Sequence, residues 1–221
     1  MTDELHQTFR TYARPAGAAY LVIILSGITA EMMLRGTLID WTSAEATARA
    51  IANNLGLFRL SFGADMLMAV CDVVLAVLLY RMLRPVDEVL ALMAMVFRLM
   101  QMAIVTGGTM YLFQADQAVA AGGDILGPLA RHAAAYDLGL LFFGVNTLIT
   151  AHLLCRTGFF PVWLAAALGA SGVVYLAGSL TRFMAPEFNA AMEMSYLLPF
   201  IAETALCLWL LRGPARKLQL A

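Results

Sequence analysis

Apolar residues run through this 221-residue chain in six long stretches, separated by short polar segments. A membrane span needs about 20 mostly apolar residues, because an α-helix rises about 1.5 Å per residue across a hydrocarbon core about 30 Å thick. The six stretches fall at about 15–34, 57–80, 86–113, 133–155, 161–183 and 194–211. Pro15 stands where a first-turn proline would open the first span. Arg81-Met82-Leu83-Arg84-Pro85 and Arg156-Thr157-Gly158-Phe159-Phe160-Pro161 are short turns that force their flanking helices to be antiparallel neighbours. Residues 43–55 predict a short helix lying along the interface. Thr42-Ser43-Ala44-Glu45 reads as a capping box, Ala44, Ala48, Ile51 and Leu55 share one face, and Glu45 and Arg49 pair i,i+4 on another. Residues 114–130, rich in Gly, Ala and Gln, predict a loop, and residues 184–192, with Pro186 and Asn189, a turn. The pattern defines an all-α, polytopic membrane helical bundle, with residues 1–221 forming one transmembrane domain.

Composition agrees with this reading. Hydrophobic residues make up 62% of the chain and charged residues 13%, with mean hydropathy +0.79. Water-soluble domains carry about 45–50% and about 25% respectively, so the surplus apolar surface calls for lipid as solvent. The expected partner is a lipid bilayer. A net charge of −1 without a basic block excludes nucleic acid, while a small-molecule ligand and a homo-oligomer stay open. The first apolar run is too long for a signal-peptide core and carries Glu31, so it is expected to remain as a span. Cys71, Cys155 and Cys207 lie in apolar stretches without C-x-x-C spacing and read as buried thiols.

Orientation follows from the basic residues. Arg10, Arg14, Arg81, Arg84, Arg156, Arg212, Arg216 and Lys217 lie on the side of the termini and the two short turns. Five (Arg35, Arg49, Arg59, Arg131 and Arg182) lie on or beside the longer loops. The positive-inside rule then places both termini in the cytoplasm.

Charge at membrane depth is the feature with chemical content. Asp72, Arg98 and Glu203 each fall roughly 13–16 Å from the cytoplasmic end of their helices, near the midplane. Gln101 sits one turn from Arg98, and Asp65 two turns from Asp72, on the same faces. An outer layer gathers Glu31, Arg35, Arg59, Asp65, Tyr136 and Asp137, with Glu31 and Arg35 spaced to pair i,i+4. A charge at the helix centre costs about 2.5–3.5 kcal/mol on insertion scales, so these groups are expected to face inward and compensate one another. The candidate site is therefore Asp65, Asp72, Arg98, Gln101 and Glu203, with Arg98 bridging the carboxylates of Asp72 and Glu203 through its fork of donors. Pro199 frees the carbonyl of Ser195 and predicts a kink one turn before Glu203. Asn146 falls on the face of its helix opposite Asp137, so the two are not expected to share a site.

No cofactor or metal is expected. The only lysine is Lys217, which leaves no intramembrane amine for a Schiff base. His6, His132 and His152 form no facing pair for a haem, and nucleotide-binding and metalloprotease motifs are absent. Leu78-Leu79-Tyr80-Arg81 with Pro85-Val86 is similar to Leu153-Leu154-Cys155-Arg156 with Pro161-Val162, which two tight turns can reach by convergence or by duplication.

Several stretches together carry a family resemblance. They are Ala64-Asp65, Cys71-Asp72-Val73, the turn from Leu79 to Val86, Phe97-Arg98-Leu99 with Gln101, and Tyr136-Asp137-Leu138-Gly139-Leu140. Phe142-Phe143-Gly144, Gly158-Phe159-Phe160-Pro161, and Glu203 ahead of Leu208-Trp209-Leu210-Leu211 complete the set. From about Arg14 to Gly213 the chain resembles the bacterial membrane proteins grouped as domain of unknown function 4386. The resemblance implies a six-helix protein of the bacterial inner (plasma) membrane and carries no catalytic residues with it. Three functions compete: a small transporter or solute- or proton-binding protein, a membrane-embedded enzyme acting on lipid or quinone, and a non-catalytic sensor or assembly partner whose charges are only a clamp. A pure clamp predicts no cavity beside Arg98, and the enzyme predicts a cleft open sideways to lipid.

Overall fold

The computed structural model describes residues 2–214, and side chains from residue 4 onward. Arg216 and Lys217, counted for orientation, lie outside the described residues. Six helical segments are long and apolar enough to cross a membrane: 4–35, 55–83, 88–121, 126–155, 162–184 and 186–212. They contain α1 (Thr2–Ile28, continued as a π-helix over Thr29–Arg35), α3 (Leu55–Leu83), α4 and α5 (Glu88–Gly108 and Met110–Ala121), α6 (Leu126–Cys155), α7 (Val162–Met184) and α9 (Leu197–Arg212). The interfacial α2 (Ala44–Asn53) and the single turn α8 (Asn189–Met192) complete the order.

Each span packs on its neighbour in sequence, α1 on α3, α3 on α4, α4 on α6 and α6 on α7. The ring closes through α7 on α9 and α9 on α1. In α3 the inward stripe reads Phe58, Ser61, Asp65, Met68, Asp72, Leu75, Leu79 and Met82, alternating three- and four-residue steps as a bundle seam requires. Leu60, Leu67, Val70, Val74 and Val77 face outward to lipid. The two acids of α3 thus stand on the protein-facing stripe of a helix whose other face is apolar between Arg59 and Arg81 near its two ends. The α6–α7 crossing is tight because Gly144 and Gly172 face each other. A Cβ on either would lie 2.9 Å from the other's carbonyl oxygen.

Four local expectations are corrected. The first helix begins at Thr2, so Pro15 lies inside it rather than in its first turn. Leu5, Phe9, Ala13 and Ala16 form a buried stripe through this polar stretch. Phe9 stacks edge-on to Phe159 with centroids 5.0 Å apart, so tertiary packing carries the helix beyond the apolar run. Residues 114–130 are not a loop: helix continues to Ala121, as alanine favours, and stops at Gly122, whose φ of 67° caps it. Ser43 rather than Thr42 caps α2, its hydroxyl accepting from the Ala46 N–H at 3.2 Å, and Glu45 pairs with Arg49 instead of closing a box. Pro199 is the third residue of α9, where its missing N–H would have had no intrahelical partner, so it opens the helix rather than kinking it.

Candidate functional site

A cavity of about 320 Å³ lies inside the ring, and all six spans contribute to its wall. Asp72 of α3, Arg98 of α4 and Glu203 of α9 line its deeper part. Glu31, Met32, Tyr136 and Tyr196 lie toward the end of the molecule that carries the longer loops. At the opposite end Leu75, Leu79, Leu206 and Leu210 belong to a packed apolar core, with two small voids beside it that Arg98, Asn146 and Thr150 help to line.

Asp72 and Arg98 are 2% and 4% exposed and form a direct ion pair. Arg98 Nε donates to Asp72 Oδ1 at 2.7 Å, and Nη2 donates to the same oxygen. The guanidinium also lies between two rings, 5.5 Å from the Tyr20 centroid and 5.1 Å from that of Phe143. Glu203 departs from expectation. Its Oε1 accepts from the Tyr175 hydroxyl at 2.5 Å, and Arg98 does not bridge it. The reason is geometric: Arg98 turns its fork to Asp72 on the adjacent α3, whereas Glu203 comes from α9 beside α7, where Tyr175 is the near donor.

A two-carboxylate bridge does form, around Arg35. Its Nη1 and Nη2 donate to Asp65 at 2.6 and 3.2 Å, and its Nε and Nη2 donate to Glu31 at 3.2 and 2.8 Å. Asp65 therefore belongs with Glu31 and Arg35 and is not joined to Arg98. The π-helix over Thr29–Arg35 ends with the Gly36 N–H on Glu31 O at 2.8 Å, and it carries both members of the triad contributed by the first span. Arg59 and Asp137 stand apart. Arg59 pairs with Asp116 at 3.1 Å and Asp137 with Arg182 at 2.9 Å, away from the cavity wall. Tyr136 lines the cavity, as does Gln101, whose buried Oε1 has no hydrogen-bond partner among the described residues.

Sequence reasoning passed over Tyr20, Tyr175 and Tyr196, quoted Phe143 only within the family resemblance, and set Asn146 apart from Asp137 without giving it a site. The tyrosines look like ordinary span residues until the ring closes and brings four helices onto one space. Asn146, which accepts from Thr150 at 3.3 Å, lies with Arg98 on the wall of a small adjoining void. One signal was available for it: an amide near the midplane calls for partners wherever it points. Among the described residues no group of three or more His, Cys, Asp or Glu side chains is placed to hold a metal.

A ring of six apolar helices around a polar-floored cavity defines a multi-pass membrane protein. The chain belongs to the family described as "Domain of unknown function (DUF4386)", which matches residues 15–213. It is also similar to an uncharacterized protein of Archaeoglobus fulgidus, at 27% identity over 144 residues covering 65% of this chain and 77% of that one. No solved structure matches it.

Proposed function

We propose that this protein binds a small solute in the central cavity and carries it across the plasma membrane, with Glu203 and the Asp72–Arg98 pair as the intramembrane site and both termini in the cytoplasm. One observation carries the reading: the cavity lies directly beside Arg98, is walled by every span, and holds the three midplane charges. A clamp that only fastened helices would bury those charges against one another with no space between them. Instead Glu203 meets a hydroxyl rather than a cation, which leaves it as the group in the cavity best suited to exchange a proton or meet a solute's charge. The apolar core at the short-turn end would be the closed gate of a carrier caught open toward the long loops.

Proteoliposomes under an imposed pH gradient test this. Wild-type protein is expected to dissipate the gradient faster than empty liposomes, and Glu203→Gln and Asp72→Asn each to slow it at least about five-fold, about 1 kcal/mol of barrier. Flux no greater than in empty liposomes, or identical in both variants and wild type, would remove the proton-coupled form of the transport reading.

A further inference from the structure

We infer that the cavity takes a lipophilic monocation, an ammonium head on an apolar tail, with the head at Glu203 and the tail in the gap between α1 and α9. The inference rests on reading the cavity as a ligand site. Charge comes first. Asp72 is matched by Arg98 and Asp65 by Arg35, Glu31 adds a carboxylate at the exposed rim, and Glu203 adds one on the cavity wall that has a tyrosine hydroxyl and no ion pair. An anion would deepen that imbalance in a low-dielectric space, whereas one positive charge relieves it.

The walls supply the second observation. Tyr175, Tyr196, Tyr136 and Phe200 add aromatic faces around the same space, the chemistry that receives an alkylated ammonium. Arg98 already occupies the faces of Tyr20 and Phe143, which shows that these helices hold a cation against rings.

The third observation concerns entry. In its long-loop half the first span leaves the α-helical path as the π-helix and packs on α3 rather than on α9. Met32 on one side of the resulting gap is 69% exposed and Phe200 on the other 51%, and both also line the cavity. An apolar tail can therefore stay in lipid while the head reaches the polar floor.

Equilibrium binding of radiolabelled octyltrimethylammonium to the protein in nanodiscs, with empty nanodiscs subtracted, tests the inference. Saturable binding is expected, at least ten-fold tighter than for octyl sulfate or octanol, and weakened at least ten-fold by Glu203→Gln. It should be retained in Glu203→Asp and in the control Glu187→Gln, an exposed residue off the cavity wall, and lost in Ile28→Trp, which fills the cavity wall while leaving the charges in place. Competition by dihexanoylphosphatidylcholine would support the inference with a choline lipid as the source of the ammonium. Absence of that competition, with saturable binding intact, would support it with a free amphiphile. Tighter binding of octyl sulfate or octanol, lost in Ile28→Trp, would overturn the cationic ligand while leaving a ligand cavity standing. Ammonium binding unaffected by both Glu203→Gln and Ile28→Trp, or no saturable binding of any of the three probes, would overturn the inference. The flux measurement decides the carrier reading separately.

Discussion

Asp72 and Arg98 are held by a different balance from the exposed pair Glu45–Arg49. Both members of the buried pair have been taken out of water, and each depends on the other for the compensation that lipid and leucine cannot give. Asp72→Ala should therefore destabilise the protein by about 3–5 kcal/mol, because it strands a guanidinium in the bundle. Asp72→Leu combined with Arg98→Met should recover most of that loss, as measured by denaturant unfolding in detergent; a double variant as unstable as the single would show that the pair contributes beyond mutual neutralisation. Glu45→Ala should change stability by no more than about 1 kcal/mol. Outside the spans, Asp40 receives the Thr42 hydroxyl at 2.6 Å and the Thr42 N–H at 2.9 Å, and these bonds hold its carboxyl below the usual range. A depressed carboxylate pKa contributes stability that is present above the unfolded value and lost as pH falls through the folded one. Thr42→Ala should accordingly raise the Asp40 midpoint toward its ordinary value in a carboxyl NMR titration. At this scale the sequence disclosed which residues were under electrostatic stress, since a charge in an apolar run is visible to any reader. It did not disclose which partner each would choose. Spacing along one helix fixes a face and a depth, but the choice between Asp72 and Glu203 for Arg98, or between Arg98 and Arg35 for Asp65, depends on which helices are adjacent.

Helix identity was largely written in local chemistry, whereas helix extent was set by neighbours. The apolar cores of the six spans are long enough to announce themselves. The additions at their ends are not apolar: Thr2 to Arg14 is helical because Leu5, Phe9 and Ala13 reach the cluster of Phe159, Phe160 and Trp209, and residues 114–121 because Leu112 and Ala115 pack over α2 and α6. Glycine is where an element depends most directly on a single atom. At the α6–α7 crossing the Cβ of any replacement at Gly144 would press on Gly172 O and on Leu176, so the two backbones could no longer approach. Gly144→Ile should cost about 1–3 kcal/mol, with the unfolding transition shifting accordingly. Ala18→Ile, on the exposed face of α1, should lie within about 0.5 kcal/mol of wild type and serves as the control. Equal stability of the two variants would contradict the close crossing.

For the whole molecule the telling asymmetry runs along the membrane normal. The half toward the long loops is loosely closed, with the π-helix leaning on α3, a cavity behind it, and charged residues reaching its rim. The half toward the short turns is sealed by Leu75, Leu79, Leu206 and Leu210 and by the aromatic cluster that pins the start of α1. No single helix encodes this difference. It arises when six stripes of unequal bulk meet: Gly27, Tyr20 and the acids leave room on one side, and leucines fill the other. If the long loops face outward, as in the proposed orientation, a membrane-impermeant thiol reagent should distinguish the halves in right-side-out vesicles. In a background with Cys71, Cys155 and Cys207 replaced by alanine, Ile28→Cys on the cavity wall should react from outside, and Leu206→Cys at the sealed end should not. Reaction of Ile28→Cys only in inverted vesicles would reverse the orientation while preserving the asymmetry. Reaction of Leu206→Cys from outside at the rate of Ile28→Cys would mean that water passes the Asp72–Arg98 pair, and the sealed end would then be no barrier. A carrier needs that barrier to form and release in turn, so adding the ammonium probe should change the rate at Leu206→Cys if the ligand drives the exchange, and leave it at zero if the cavity only stores what it binds.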